Sequence, residues 1–229
     1  VSGLVGGDGL KMRQYSIRGR AMSGGYVSEV IAEALSMAES NACMRRIVAA
    51  PTAGACGVLP AVLLPLCKYE ELSQHRILEA LYVASGIGAV IAYKACIAGA
   101  SGGCQAEIGT ACSMAAAGLG QLRGYDLHRI ESAAETAMEH NIGLTCDPVC
   151  GLVQIPCIER NSVAAQKAVH AAMLAGVLAD TQKVSFDCIV RNMYETGRDL
   201  LGAYRETATG GLAKLYRAGT GEERDENDS

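Results

Sequence analysis

Residues 73–98 read SQHRILEALYVASGIGAVIAYKACIA, and this stretch decides the fold class. Its apolar side chains recur three or four positions apart, at Ile77, Leu81, Ala84, Ile87, Gly88 and Ile91. This spacing places them on one face of an α-helix, with Glu79 on the opposite face. Ser73 precedes the pattern and is a suitable N-cap. We therefore predict a long central helix from Ser73 to about Ala98.

Shorter segments of the chain carry the same helical signal. Helices are predicted over 28–41, 106–120, 127–139, 162–178 and 184–204, and another is predicted to begin near Val58. Ser28, Asp126 and Asn161 are the predicted N-caps of three of them. No alternating strand pattern or internal repeat is found, and short strands near Ile47 or Val149 are the alternative. The sequence predicts an all-α fold, a compact bundle of Ala- and Gly-rich helices with cysteine-bearing loops.

Composition limits the domain organisation and the partners. A chain of 229 residues can bury a true core, and we predict a single helical domain over 1–218 followed by a disordered acidic tail over 219–229. The net charge is −4, with one Phe and no Trp, so neither a basic stripe nor an aromatic platform for nucleic acid is present. Nucleic acid is not an expected partner.

The hydrophobic and cysteine content also indicate a compartment. The most apolar stretch, from Ile77 to Ala100, is interrupted by Glu79, Lys94 and several glycines, so we expect no membrane span. Ten cysteines occur without a signal-peptide pattern and in unlike surroundings. A reducing, cytoplasmic location is the expectation.

Three cysteines, Cys104, Cys146 and Cys157, have unusual surroundings. Each is flanked by Gly or Pro and by polar residues, which is typical of loops that present a thiol. Three thiols suit a cubane iron-sulfur cluster, because its fourth iron then stays free to bind a substrate oxygen as a Lewis acid.

The remaining cysteines and a zinc site form the alternative. Cys43, Cys67, Cys96, Cys112 and Cys188 lie in helical patterns and are expected in the core. A structural zinc site stays open, although no C-x-x-C pair occurs and the nearest approach is Cys146-x-x-x-Cys150.

Two longer motifs carry a resemblance. Residues 139–149, EHNIGLTCDPV, and 151–161, GLVQIPCIERN, resemble the signature of the alpha chain of iron-sulfur-dependent L-serine dehydratases. Residues 50–54, APTAG, and 103–109, GCQAEIG, are similar to other blocks of that family. The resemblance extends from Ser2 to about Ala213.

The resemblance implies a cofactor and a reaction. Cys104, Cys146 and Cys157 fall on the family's ligands to a [4Fe-4S] cluster, which are the same three cysteines that their surroundings single out. The implied reaction is β-elimination of water from L-serine, giving pyruvate and ammonia without pyridoxal phosphate. A base removes the α-proton while the open iron acts on the hydroxyl group.

Four further residues are candidates for the site. Thr52, in a Gly-containing turn, is expected to bind the substrate carboxylate, with shaping of the turn as the alternative. Arg160 is expected to bind the same carboxylate, with a structural pair to Glu159 as the alternative. His140 and Asn141 are the predicted catalytic residues, His140 for proton transfer or support of the cluster, with a helix C-cap as its alternative.

The chain departs from the family pattern at three points. The Ser-Ser-His-Thr type segment of the beta domain, thought to supply the base, does not occur here, so a beta subunit or beta domain and an oligomeric assembly are expected. Cys150 stands where Gly is expected. No Cys follows Cys188, so a terminal thiol on the open iron is not expected. The alternative functions are a cysteine desulfidase of related chemistry and a non-catalytic zinc-binding or regulatory module.

Overall fold

A computed structural model describes residues 4–19 and 21–216 of the chain. Within these residues the chain forms ten α-helices. Their bounds are Asp8–Ile17 (α1), Gly24–Ala42 (α2), Val58–Tyr69 (α3), Gln74–Lys94 (α4), Gly99–Gly102 (α5), Cys104–Leu122 (α6), Leu127–Glu139 (α7), Cys157–Leu178 (α8), Phe186–Asp199 (α9) and Gly211–Leu215 (α10). Short 3₁₀ turns lie at Val149–Gly151, Ala179–Thr181 and Gly202–Tyr204. The predicted tail over 219–229 lies outside the described residues.

The all-α prediction is confirmed. The described residues contain no strand, and an isolated β-bridge joins Cys146 to Arg205. The alternative of strands near Ile47 or Val149 is therefore wrong.

The sequence indicated α4 as the central helix, but the central helix of the structure is α6. Every residue of α6 except Glu107 and Gln121 is buried, and α6 packs against α3, α4, α7, α8 and α9. In α4 only Ala80, Ala84, Gly88 and Ile91 are buried. The difference is explained by side-chain size. The small side chains of α6 allow five helices to approach its axis closely, whereas the larger apolar residues of α4 cover one side of α6.

Helix α6 contributes to two apolar clusters. One is formed with α2, α3 and α8 and includes parts of α4 and α7, and the other is formed with α4, α7 and α9. Close approach is seen at Gly118, where an added Cβ would lie 3.3 Å from the Ala80 carbonyl oxygen. The two clusters fix the direction of α6, and its N-terminal end lies between the N-terminal end of α8 and the loop that follows α7.

Several predicted helix starts are confirmed by their caps. The Ser73 hydroxyl accepts from the Arg76 N–H at 3.5 Å, and the Asp126 carboxylate accepts from the Arg129 N–H at 2.9 Å. These contacts satisfy backbone donors that the first turn of a helix leaves free.

Two predicted N-caps are wrong. Ser28 lies inside α2, which begins at Gly24, and its hydroxyl donates to the Gly24 carbonyl oxygen. Asn161 lies inside α8, which begins four residues earlier at Cys157. Both side chains are buried and bond tertiary or i−4 partners, a use that sequence patterns do not distinguish from capping.

The prediction of core cysteines holds in part. Cys67 and Cys112 are buried, Cys96 is half-buried, and Cys43 and Cys188 are exposed. Cys43 follows the last residue of α2, and Cys188 lies in the first turn of α9. Both therefore lie at helix ends, where their side chains are exposed.

Two segments, Gln74–Lys94 and Cys157–Thr181, are long and apolar enough to cross a membrane by length and composition. In the second, half of the apolar window is buried inside the protein, as in a core helix. In the first, 22% of the window is buried. Composition thus allows a membrane span where the interrupted pattern argued against one. A buried core helix of a soluble protein can have the same length and composition.

Candidate metal centre

The three singled-out cysteines come from three separate elements. Cys104 is the first residue of α6, Cys157 is the first residue of α8, and Cys146 lies in the loop after α7. The predicted loop setting is therefore correct for Cys146 only. A helix N-terminus favours negative charge on a nearby thiol, so the positions of Cys104 and Cys157 suit thiolates.

The thiols are buried and close together. Cys104, Cys146 and Cys157 are 1%, 2% and 6% exposed. The Cys104 and Cys146 sulfurs and a carboxylate oxygen of Glu107 lie within 4.8 Å of one another. Cys157 lies outside this compact group but near enough for the charge of Cys104 to act on its thiol. The ligand atoms thus form a compact group of three with a fourth beside it.

Backbone pairing fixes the position of Cys146. Its N–H donates to the Tyr204 carbonyl oxygen at 2.8 Å, and its carbonyl oxygen accepts from the Glu206 N–H at 2.7 Å. The segment before it is tied to α6, because the buried Gln105 side chain accepts from the Gly143 N–H at 2.8 Å. These bonds join the cysteine loop to α6 and to the segment after α9.

Arg160 links the three cysteine-bearing elements. From α8, its Nη1 donates to the Thr145 carbonyl oxygen at 2.7 Å and to the Cys104 sulfur at 3.3 Å. Its Nη2 donates to Asp147 Oδ1 at 3.1 Å, in a pair whose side chains are 17% and 8% exposed. The structural partner of Arg160 is thus Asp147 and not Glu159.

Asp147 extends this network to α10. Its Oδ2 accepts from the Leu212 N–H at 2.9 Å, in the first turn of that helix. A buried carboxylate needs such partners, because a lone buried charge is costly. Asp147 therefore joins the cysteine loop to the chain segment that follows α9.

The pKa values of the thiols differ according to their neighbours. The Cys146 thiol donates a hydrogen bond that lowers the pKa of Cys104, and the Arg160 guanidinium lowers it further against the effect of burial. The same hydrogen bond, together with burial, raises the pKa of Cys146. Burial and the neighbouring Cys104 raise the pKa of Cys157 to about 12. Cys104 is therefore the first of the three to ionise.

Glu107 is the acidic residue whose carboxylate lies beside the Cys104 and Cys146 sulfurs. It lies one helical turn after Cys104, on the same side of α6, and is half-buried. Its Oε1 accepts a hydrogen bond from the Thr52 hydroxyl at 2.5 Å. Burial raises the pKa of Glu107, the Thr52 hydrogen bond opposes this, and the charge of Glu206 adds to it. The predicted site residue Thr52 is thus brought to the cysteines, with its hydroxyl directed at Glu107.

The loop that carries Thr52 is held by Asn161. The Asn161 amide donates to the Gly54 carbonyl oxygen at 2.7 Å, and its oxygen accepts from the Gly57 N–H at 3.0 Å. Asn161 is 1% exposed and lies one turn after Cys157. Residues of α8 therefore position both the cysteine loop and the Thr52 loop.

His140 and Asn141 follow the C-terminal end of α7, where the cysteine loop begins. His140 is exposed and its Nδ1 bonds the Thr136 carbonyl oxygen at 2.9 Å. Asn141 is buried, donates to the Ala137 carbonyl oxygen at 2.7 Å and accepts from Lys167 Nζ at 3.2 Å. Their side-chain hydrogen bonds go to α7 and α8 rather than to Cys104, Cys146 or Cys157.

Sequence reasoning missed Glu107 and Gln105. The i, i+3 spacing of Cys104 and Glu107 was a usable signal, because it places both on one face if a helix begins at Cys104. The helix was predicted to begin two residues later, so the relation was lost. Gln105 gave no signal, because its role depends on Gly143 and Met193.

Comparison with known proteins gives a family. The family model described as "Serine dehydratase alpha chain" matches residues 1–213. The chain is 52% identical over 181 residues to L-serine dehydratase TdcG of Escherichia coli (strain K12), covering 79% of this chain and 40% of that protein. An L-serine dehydratase of Haemophilus influenzae is 49% identical over the same shares.

A third relative, an L-serine dehydratase of Helicobacter pylori, is 49% identical over 186 residues, covering 80% of this chain and 41% of that protein. The chain spans about two fifths of the length of these curated relatives. The residues that match the family model make up more than half of the chain. The chain belongs to the serine dehydratase alpha chain family.

Proposed function

We propose that this chain is the cluster-binding part of an L-serine dehydratase, which converts L-serine to pyruvate and ammonia. The observation that carries the proposal is the convergence of three buried thiols on one polar network. The similarity to named L-serine dehydratases supports the substrate.

The donor set fits a [4Fe-4S] cluster. All ten cysteines are free thiols, so Cys104, Cys146 and Cys157 are available as ligands, and soft sulfur donors suit iron-sulfur clusters. A cubane places its irons at separate corners, which agrees with Cys157 lying outside the compact group. When bound, a cluster held by three cysteines supplies one iron as a Lewis acid for the hydroxyl group of the substrate. Pyridoxal phosphate has no role in this proposal.

Arg160 prepares the site for a cluster. Ligation needs thiolates, and the guanidinium beside Cys104 favours the charged form of that sulfur. Cys146 and Cys157 hold their protons more firmly, so loading of the site releases protons into solution. We expect cluster assembly to be faster at pH 8.5 than at about pH 6.5.

Arg160, beside Cys104, and the turn beginning at Thr52, beside Glu107, are the candidate binding groups for the substrate carboxylate. Arg160 keeps donors beyond those bonded to Thr145, Cys104 and Asp147, because a guanidinium has five N–H groups. His140 and Asn141 remain predictions for catalysis, and the hydrogen bonds of Asn141 suit support of the α7 end of the loop.

A partner completes the site in this proposal. The α-proton of serine needs a base, and we place this base on a beta domain or beta subunit, within an oligomeric assembly. The matched region makes up 40% of the length of the Escherichia coli relative, which supports a further domain. We place the protein in the cytoplasm, where free thiols persist.

Anaerobic reconstitution with iron and sulfide tests the proposal. We expect about four irons per chain, an iron-sulfur absorbance band and a change in that band on adding L-serine. Pyruvate formation is then assayed with the beta component of a relative. Tight binding of one zinc in place of iron would contradict the proposal, and sulfide release from L-cysteine in place of pyruvate release would assign a desulfidase.

A further inference from the structure

A carboxylate faces the thiols and has no cationic partner. Glu107 is one of the two residues of α6 that are not buried, and its carboxylate lies beside the Cys104 and Cys146 sulfurs. Among the described residues, no Lys, Arg or His forms an ion pair with it. Its hydrogen-bond partner is the neutral Thr52 hydroxyl.

The charges around Glu107 increase the demand for a cation. Arg160, the guanidinium at the site, is paired with Asp147. A second carboxylate, Glu206, acts on Glu107 and on Cys146 and Cys157. Burial of a carboxylate without a cationic partner is unfavourable, and a positively charged ligand beside it would relieve this cost.

Two glycines allow the backbone to pack closely against the Glu107 carboxylate and the Cys146 sulfur. A Cβ added at Gly54 would lie 2.6 Å from Glu107 Oε1, and one added at Gly99 would lie 2.8 Å from the Cys146 sulfur and 3.5 Å from Glu107 Oε2. Oε1 is held by Thr52, which leaves Oε2 on the side of Gly99 and the Cys146 sulfur. A ligand that binds Oε2 would therefore also lie beside the Cys146 sulfur.

We infer that Glu107 is a substrate-binding residue whose carboxylate receives the α-ammonium group of the 2-amino-3-hydroxy acid, and that Thr52 positions it. This inference rests on the proposed function and names the group that distinguishes an amino acid from a hydroxy acid. It changes the role of Thr52 from a donor to the substrate carboxylate into a donor to Glu107. The ammonium restores the charge balance of the site without using Arg160.

Paired ligands test the inference. L-serine and 3-hydroxypropionate share the carboxylate and the hydroxyl group, and only L-serine has the ammonium. Binding of each is measured anaerobically by calorimetry on the reconstituted chain, with iron counted in every sample. For Glu107→Gln we expect unchanged iron, a loss of L-serine affinity of about tenfold to a hundredfold, and a change below about twofold for 3-hydroxypropionate.

Two further variants separate positioning from packing. Thr52→Val is expected to weaken L-serine binding by about fivefold, less than Glu107→Gln, and Thr52→Ser to recover part of this loss because it keeps the donor. Glu131→Gln on the exposed side of α7 is the matched control and is expected to bind both ligands as the unsubstituted chain does.

Each contrary result has a separate meaning. Loss of iron in Glu107→Gln would make Glu107 a metal ligand and overturn the inference. Equal weakening of both ligands, or no weakening of L-serine, would overturn it too, as would an iron-loaded unsubstituted chain that does not bind L-serine. An unsubstituted chain that takes up no iron would instead sink the proposed function.

Discussion

The two ends of α6 have opposite surroundings. At the N-terminal end, Cys104, Gln105 and Glu107 contact a guanidinium, a backbone N–H and a hydroxyl group. At the C-terminal end, residues 115–119 pack among apolar side chains of the core clusters. One helix thus carries a polar site at one end and close apolar packing at the other. The difference teaches that the apolar end supplies stability, which allows the other end to hold buried polar groups whose net contribution is small or unfavourable.

Replacing the thiols should break the polar end most completely. Cys104→Ser, Cys146→Ser and Cys157→Ser each remove one proposed sulfur ligand, and we expect iron to fall from about four per chain to below one. Iron and acid-labile sulfide are measured after anaerobic reconstitution. Cys188→Ser is the control, because Cys188 is exposed on α9. Full iron content in all three variants would remove the ligand assignment.

Leu119→Ala should damage the apolar end alone. Leu119 is 5% exposed, and truncation of a buried Leu leaves a cavity, so we expect the free energy of unfolding to fall by about 3 kcal/mol. Urea unfolding of the apoprotein measures this. Iron content of the folded variant should match that of the unsubstituted chain, and a selective loss of iron would contradict the separation of the two ends. Leu127→Ala, at an 83% exposed position, is the control.

Arg160→Met should affect both properties at the polar end. It leaves Asp147 without its cation and Cys104 without a donor. We expect a loss of about 2 kcal/mol in unfolding free energy, less than is usual for a fully buried pair because Arg160 is partly exposed. The exposed pair of Arg129 with Asp126 gives the control Arg129→Met, with a loss of about 0.5 kcal/mol or less. Equal losses in the two variants would show that burial adds nothing to the Arg160 pair.

Glu135 gives a smaller effect, which depends on pH. This buried residue of α7 has an Oε1 without a hydrogen-bond partner among the described residues, and burial raises its pKa above the ordinary value of 4.5. The folded protein therefore holds this proton to higher pH than the unfolded chain does. Stability from the protonated form is present below the unfolded pKa and is lost as pH rises through the folded pKa.

Glu135→Gln should remove this dependence. The unfolding free energy of the unsubstituted apoprotein should fall relative to that of the variant as pH rises from the ordinary value of 4.5 through the folded pKa of Glu135. Urea unfolding at several pH values measures the difference, with the exposed Glu131→Gln as control. A constant difference across this range would show that the carboxyl group of Glu135 ionises alike in both states.

Local patterns predicted the helices well where the cause of a helix is local. The caps at Ser73 and Asp126 lie within three residues of the N–H groups that they bond, so the sequence contains both partners. The prediction failed at Asn161, whose partners Gly54 and Gly57 lie more than a hundred positions away. Such a bond cannot be inferred from neighbouring residues.

The sequence by itself determined the all-α class, the three cysteines and the family, because hydrophobic period and Gly- or Pro-flanked thiols are local properties. Only the tertiary structure decided that α6 is the central helix, that Arg160 pairs with Asp147 beside Cys104, and that Thr52 donates to Glu107. These relations depend on which helices can approach closely, and that is settled by the small side chains of several helices acting together. Local sequence patterns were thus enough to identify the candidate residues of the site, whereas the packing of the helices determined how these residues are arranged.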